Sequence, residues 1–219
     1  MLHLMAETVK KDLRAARRAE TEARVVAAAT ELFLEQGYAA TTLAEVTRRA
    51  GLAERTVYVR FATKAAVLVR CLEVAIAGGP ERVAVAESDS FAAAMSAPSV
   101  EKRVRAMAEL SGELMERTGP LLAVARQAEA TEAVIAEMAR AGRDDTRRAL
   151  TGFVRAMAAD GLLPPDRDLD WLAETVAVTG QAETYLLLAG TTGWTAAAYR
   201  DWLTTTWSHL LGQPSTPRG

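Results

Sequence analysis

The stretch TTLAEVTRRAGLAERTVYVRFATK, residues 41–64, constrains the fold more than any other. It holds two apolar runs at helical spacing, Leu43, Val46 and Ala50, then Val57 and Phe61, parted by Gly51. Helices shorter than about 12 residues are marginal in water. Two such pieces, joined by a glycine that takes left-handed backbone at little cost, must pack on a third. That third precedes them: Val25, Ala29, Leu32 and Phe33 recur at i, i+4, i+7 and i+8, and Gly37 stands where a helix ends. Thr42 with Glu45 three residues on is the capping-box pattern for the second helix. Thr63 caps a fourth, in which Val67, Leu68, Cys71 and Leu72 repeat. Short helix, glycine turn and second short helix form a helix-turn-helix from Thr42 to Phe61.

The rest of the chain also reads as helix. Half of the 219 residues are hydrophobic, only 5% are aromatic, and alanine is abundant, a balance that favours helices over strands. Beyond a loop over 78–99, with one helical turn at Phe91–Met95, the spacing predicts helices near 100–117, 120–128, 131–160, 168–189 and 195–211. Pro120, Gly161 with Pro164 and Pro165, and Gly190 to Gly193 punctuate them. The expected fold is all-α: a three-helix head with a larger C-terminal helical bundle, about nine helices in total. Residues 1–64 form the head, 1–19 being a basic arm, or the start of the first helix, with Lys10, Lys11, Arg14, Arg17 and Arg18. Residues 65–211 form the body, and 212–219 a disordered tail.

Charge separates the two parts. Residues 1–64 hold 11 Lys and Arg against 8 Asp and Glu, and the remainder 15 against 20. A basic head on an acidic body suits a polyanion partner for the head. In a recognition helix the N-terminal residues meet base edges in the major groove; here these are Glu54, Arg55 and Thr56. Arg55 has the reach to read guanine, and Thr56 to touch a thymine methyl or a phosphate. Arg48, Tyr58, Arg60 and Lys64 suit phosphates, which position without specifying, and Thr42 stands at a helix N-terminus.

Enzyme chemistry is hard to place. His3, His209 and Cys71 cannot form a zinc site from one chain, and no cofactor or metal is expected. Asp166, Asp168 and Asp170 alternate like the start of a calcium loop but lack its glycine and late glutamate, so helix capping near Trp171 is the expected role. No nucleophile elbow, P-loop or dinucleotide glycine pattern occurs. No apolar run approaches the roughly 20 residues of a membrane span. With a single cysteine and charges early in the chain, a cytoplasmic location is expected.

GYAATTLAEVTRRAGLAERTVYVRFATKAAVL resembles the DNA-binding signature of TetR-type repressors. Gly37, Tyr38, Thr41, Thr42, Ala50, Gly51, Thr56, Tyr58, Phe61 and Lys64 fall in place, as do Leu32 and Phe33. The sequence departs at Ala53, where the family has a Ser or Thr cap, and at Val59 and Arg60. The resemblance implies a repressor that binds a palindromic double-stranded operator as a homodimer and leaves it when a small-molecule inducer enters the body. The DNA-binding candidates are then Thr41, Thr42, Arg48, Arg55, Thr56, Tyr58, Arg60 and Lys64.

For the body, the resemblance implies a dimer interface on the last two helices and an inducer cavity. The apolar stripes there offer Leu186, Leu187, Trp202, Leu203, Trp207 and Leu210 for the interface. Pocket candidates are Met107, Leu110, Leu114, Arg126, Thr175 and Thr179. Two other readings stand beside this one: a DNA-binding regulator that is ligand-independent or answers to a protein, and, more remotely, a helical-bundle enzyme.

Overall fold

The computed structural model describes residues 2–79 and 85–212, and among these every regular element is helical. The head opens with α1 (Leu2–Ala40), whose helical backbone breaks at Gly37, held at φ 76°. Then come α2 (Leu43–Ala50), α3 (Glu54–Arg60) and α4 (Lys64–Ala77). A 3-10 turn at Val85–Glu87 and α5 (Asp89–Ser96) follow. The body adds α6 (Val100–Ala128), α7 (Ala133–Ala159), α8 (Leu169–Thr179), α9 (Ala182–Thr192) and α10 (Ala196–Gly212).

Several expectations change. The stretch read as an arm is helical from Leu2 onward and continues into α1. The single helical turn expected at Phe91–Met95 lengthens into α5, capped by Ser88, whose hydroxyl accepts from the Phe91 amide at 3.2 Å. The helices expected at 100–117 and 120–128 are one helix. Pro120 lies on its exposed side and removes a single amide, while Met115, Thr118, Leu121 and Val124 are buried on either side and carry the helix through.

The helix expected at 168–189 is two. A Cβ at Gly180 would lie 2.3 Å from Leu150 Cδ1 and 3.2 Å from the Trp207 ring, so a side chain here would have to displace its neighbours where the chain turns. The carbonyl of Thr179, freed there, accepts from the Tyr199 hydroxyl at 2.7 Å. As expected, Asp168 caps α8 by accepting from the Trp171 amide at 3.0 Å. The tail expected to be disordered lies outside the described residues, apart from Gly212, which closes α10.

Two apolar cores hold the molecule. The first joins Val25, Phe33, Val46, Val57 and Phe61 of the head to Leu68 and Leu72 of α4, and to Leu121, Val124 and Ile135 where α6 meets α7. The second gathers Met107, Phe153, Leu172, Tyr199, Leu203 and Trp207. Polar contacts reinforce the seam beside the first core. The Tyr38 hydroxyl donates to Glu132 at 2.8 Å, and burial with that carboxylate nearby holds the phenol neutral far above its usual range. Lys64 donates to the Tyr38 carbonyl at 2.6 Å, its ammonium 4.1 Å from the centre of the Tyr38 ring. Arg117 of α6 reaches the Ala75 carbonyl of α4 at 3.3 Å.

Candidate nucleic-acid interface

The helix-turn-helix is built by local rules. The Thr42 hydroxyl accepts from the Glu45 amide at 3.2 Å, and Glu45 accepts from the Thr42 amide at 2.9 Å, completing the capping box. Those bonds from Thr42 hold the Glu45 carboxyl below its usual range. Gly51 ends α2 with φ 64° and ψ 39°. Arg24 of α1 clamps the turn, donating to the carbonyls of Ala50 at 2.7 Å and Gly51 at 3.0 Å. The recognition helix α3 then starts at Ala53 with no side-chain cap, as its sequence predicts.

α3 buries one residue, Val57, and presents the rest. Glu54, Arg55 and Thr56 are exposed at its start, Tyr58 is 47% exposed and Val59 81%. A valine so far out of the core is an apolar group without cover, of the kind that meets a thymine methyl in a major groove. The sequence reading missed it; the only signal was a valine off the inward face of the helix. Thr42, Arg48, Arg55, Thr56 and Tyr58 are each exposed, and Arg48 and Arg55 make no ion pair among the described residues.

Three candidates are placed otherwise. Thr41 is fully buried, and its hydroxyl donates to the carbonyls of Gly37 at 2.8 Å and Leu32 at 3.3 Å; it ties the turn after α1 rather than facing outward. Lys64 is half-buried with its ammonium on backbone carbonyls, and burial depresses its pKa. Arg60 lies on Glu22 of α1, with Nε 2.9 Å from the carboxylate. The lone Cys71 is buried in the first core, and burial pushes its thiol up to about 11.

The body candidates do not converge. Met107 is buried in the second core, with Leu110 and Leu114 packed against it. Arg126 is exposed near the far end of the same helix, roughly 28 Å away at 1.5 Å per residue, and cannot line a cavity with Met107. The Thr175 hydroxyl donates to the Trp171 carbonyl at 2.7 Å, and that of Thr179 accepts from Trp207 Nε1 at 2.8 Å. A surface groove of about 420 Å³ lies elsewhere, lined by Arg105, Glu109, Arg200, Asp201, Thr204 and Thr205. Of the interface candidates, Leu203 and Trp207 are wholly buried within the subunit and are not available to a partner. Leu186, Trp202 and Leu210 are half-buried, while Leu187 is 58% and Val178 64% exposed.

Residues 25–71 match the family model described as bacterial regulatory proteins, tetR family. Solved structures share the fold across nearly the whole chain. The SmeT–triclosan complex is 22% identical, with a TM-score of 0.66, covering 91% of this chain and 99% of that one. The TetR family transcriptional regulator PfmR from Thermus thermophilus is 17% identical at a TM-score of 0.61, covering 90% and 97%. A putative transcriptional regulator from Saccharomonospora viridis in complex with choline is 16% identical at 0.66, covering 88% and 97%. No curated protein matches the sequence. The head thus matches the tetR-family model over residues 25–71, and the chain shares the all-helical fold of these solved TetR-type regulators. No helix among the described residues is long and apolar enough to cross a membrane.

Proposed function

We propose that this protein is a cytoplasmic, homodimeric transcriptional repressor, not an enzyme, that binds a palindromic operator and leaves it when a small molecule binds its body. The observation that carries the reading is the outward face of α3, where every residue but Val57 is exposed on a scaffold fixed by the capping box and the Arg24 clamp. Glu54, Arg55 and Val59 are in place to meet base edges. Thr42, Arg48, Thr56 and Tyr58 are in place to meet backbone phosphates.

Pairing follows from the far end of the molecule. Val178 and Leu187 are exposed apolar side chains, and Leu186 and Trp202 are half-buried. A second copy covering them gives the two heads the symmetry of a palindrome. For the inducer, the support is that two of the structural relatives are complexes with small molecules, triclosan and choline. A ligand shifts the balance only by binding one conformation better than the other.

The test is an electrophoretic mobility shift with the DNA upstream of the protein's own gene. The expected result is salt-sensitive, sequence-selective binding that Arg55→Ala weakens by about 1–3 kcal/mol at one base position. Absence of selective binding by the folded protein overturns the reading.

A further inference from the structure

Arg60, the last residue of the recognition helix, is not free to serve as a phosphate ligand. Its Nε and Nη2 both donate to Oε2 of Glu22, Nε at 2.9 Å. The other oxygen of the same carboxylate accepts from Arg70 Nε of α4 at 2.5 Å, and Arg70 Nη1 reaches Glu73 at 3.0 Å. The cluster is sheltered: the side chains of Glu22, Arg60 and Arg70 are 22%, 30% and 13% exposed. Burial works to raise the Glu22 carboxyl pKa, and the two guanidiniums beside it outweigh that and hold it below its usual range. A guanidinium fork fits a carboxylate and a phosphate by the same geometry, so the edge of Arg60 that holds Glu22 is the edge a phosphate would take.

We propose that Glu22 is a positioning residue for DNA binding: its carboxylate occupies Arg60 in place of a phosphate and, shared with Arg70, ties the end of the recognition helix to α4. This rests on the DNA-binding reading above and adds an intramolecular competitor to it. Because α4 packs in the same core as the α6–α7 junction, a displacement of α4 acts on that carboxylate. The number of phosphates the head engages then responds to the body.

The test is a salt titration of binding to duplex DNA of random sequence, read by fluorescence anisotropy, with thermal unfolding as the check on folding. Each added phosphate contact steepens the slope of log K against log salt by about 0.9, an extra loss of roughly 3.5-fold between about 50 and about 200 mM salt. Glu22→Gln is expected to show that steepening and tighter binding at low salt, and Arg60→Ala in the same background to abolish both. Glu20→Gln removes the same charge from an exposed site two residues away and is expected to leave the slope as in the wild type. Glu22→Asp keeps the charge but withdraws the carboxylate; it is expected to steepen the slope too, and it carries the test if Glu22→Gln does not fold. A folded Glu22→Gln with the wild-type slope, an equal change in Glu20→Gln, or a gain that survives Arg60→Ala overturns the proposal while leaving DNA binding intact. A wild-type protein with no salt-dependent binding to duplex overturns the DNA-binding reading as well.

Discussion

The two helices of the helix-turn-helix differ by one residue in length, and far more in how their ends and their buried faces are held. α2 has a reciprocal cap at its start and a left-handed glycine at its end, and it buries Val46, Thr47 and Ala50. Its Arg49 adds exposed ion pairs to Glu31 and Glu35 of α1, at 3.1 and 2.9 Å. α3 has no side-chain cap and buries only Val57. What fixes α3 lies at its far end, in buried Phe61 and in the pairing of Arg60 with Glu22. The helix that packs inward satisfies itself; the helix that faces outward leaves its bonds and its apolar Val59 for a partner. On the reading proposed above, the operator is the missing cover for α3.

The comparison breaks most completely at Phe61. It is 7% exposed in the first core, and truncating a buried phenylalanine costs about 3–5 kcal/mol. Phe61→Ala is expected to lower stability by that much in urea unfolding and to release α3 before α2, seen as faster amide exchange at Val57. Gly51→Ala comes next. Its φ of 64° costs a non-glycine residue about 1–2 kcal/mol. The added Cβ would also sit 3.1 Å from Arg24 Nη2, loosening the clamp on the turn. Thermal unfolding measures the loss. Thr42→Ala removes the hydroxyl half of the capping box and leaves the backbone amide on Glu45, for about 1 kcal/mol, and is expected to fray the start of α2 and leave the exchange of α3 unchanged. Loss of protection in α3 instead would mean that the two helices are one cooperative unit.

Local rules made the head legible. Thr42 with Glu45, Gly51, Thr63, and the missing cap at Ala53 are decided within a few residues of sequence, and each is found as its spacing predicts. The misreadings concern long-range partners. Arg60 reads as a phosphate contact until the chain brings Glu22, 38 residues earlier, against it. Thr41 stands beside Thr42 in the same pattern, yet only the break at Gly37 decides that one hydroxyl turns inward and the other caps. In the body, Pro120 carries the opposite meaning from the one its type suggests, since it sits on an exposed side of α6 where one lost amide is tolerated. Gly180 does end a helix, as a glycine can, although the apolar spacing runs on through it as one continuous pattern. Apolar stripes on α10 could not be divided by sequence into core and partner faces, since Leu203 and Trp207 look like Trp202 and Leu210 until packing buries the first pair.

The smallest expected effect bears most directly on why α3 is weakly held. At Ala53 the backbone already has the extended geometry of a cap, with φ −72° and ψ 140°, and its carbonyl accepts from the Thr56 amide at 2.9 Å. Only the side-chain oxygen is missing. Ala53→Ser supplies an acceptor for the free amides of the first turn without moving the chain, so the gain is expected at about 0.5–1 kcal/mol, a rise in Tm of roughly 1–4 °C. Slower amide exchange confined to the start of α3 would locate that gain. The substitution adds nothing to the outward face, so DNA affinity is expected to change only through the ordering of α3. Tighter binding without a change in salt slope would mean that the free recognition helix is partly frayed and that DNA completes it. Higher stability with unchanged affinity would mean that α3 is already formed in the free protein, which would place its tether at Phe61 and Glu22 rather than at its N-terminus.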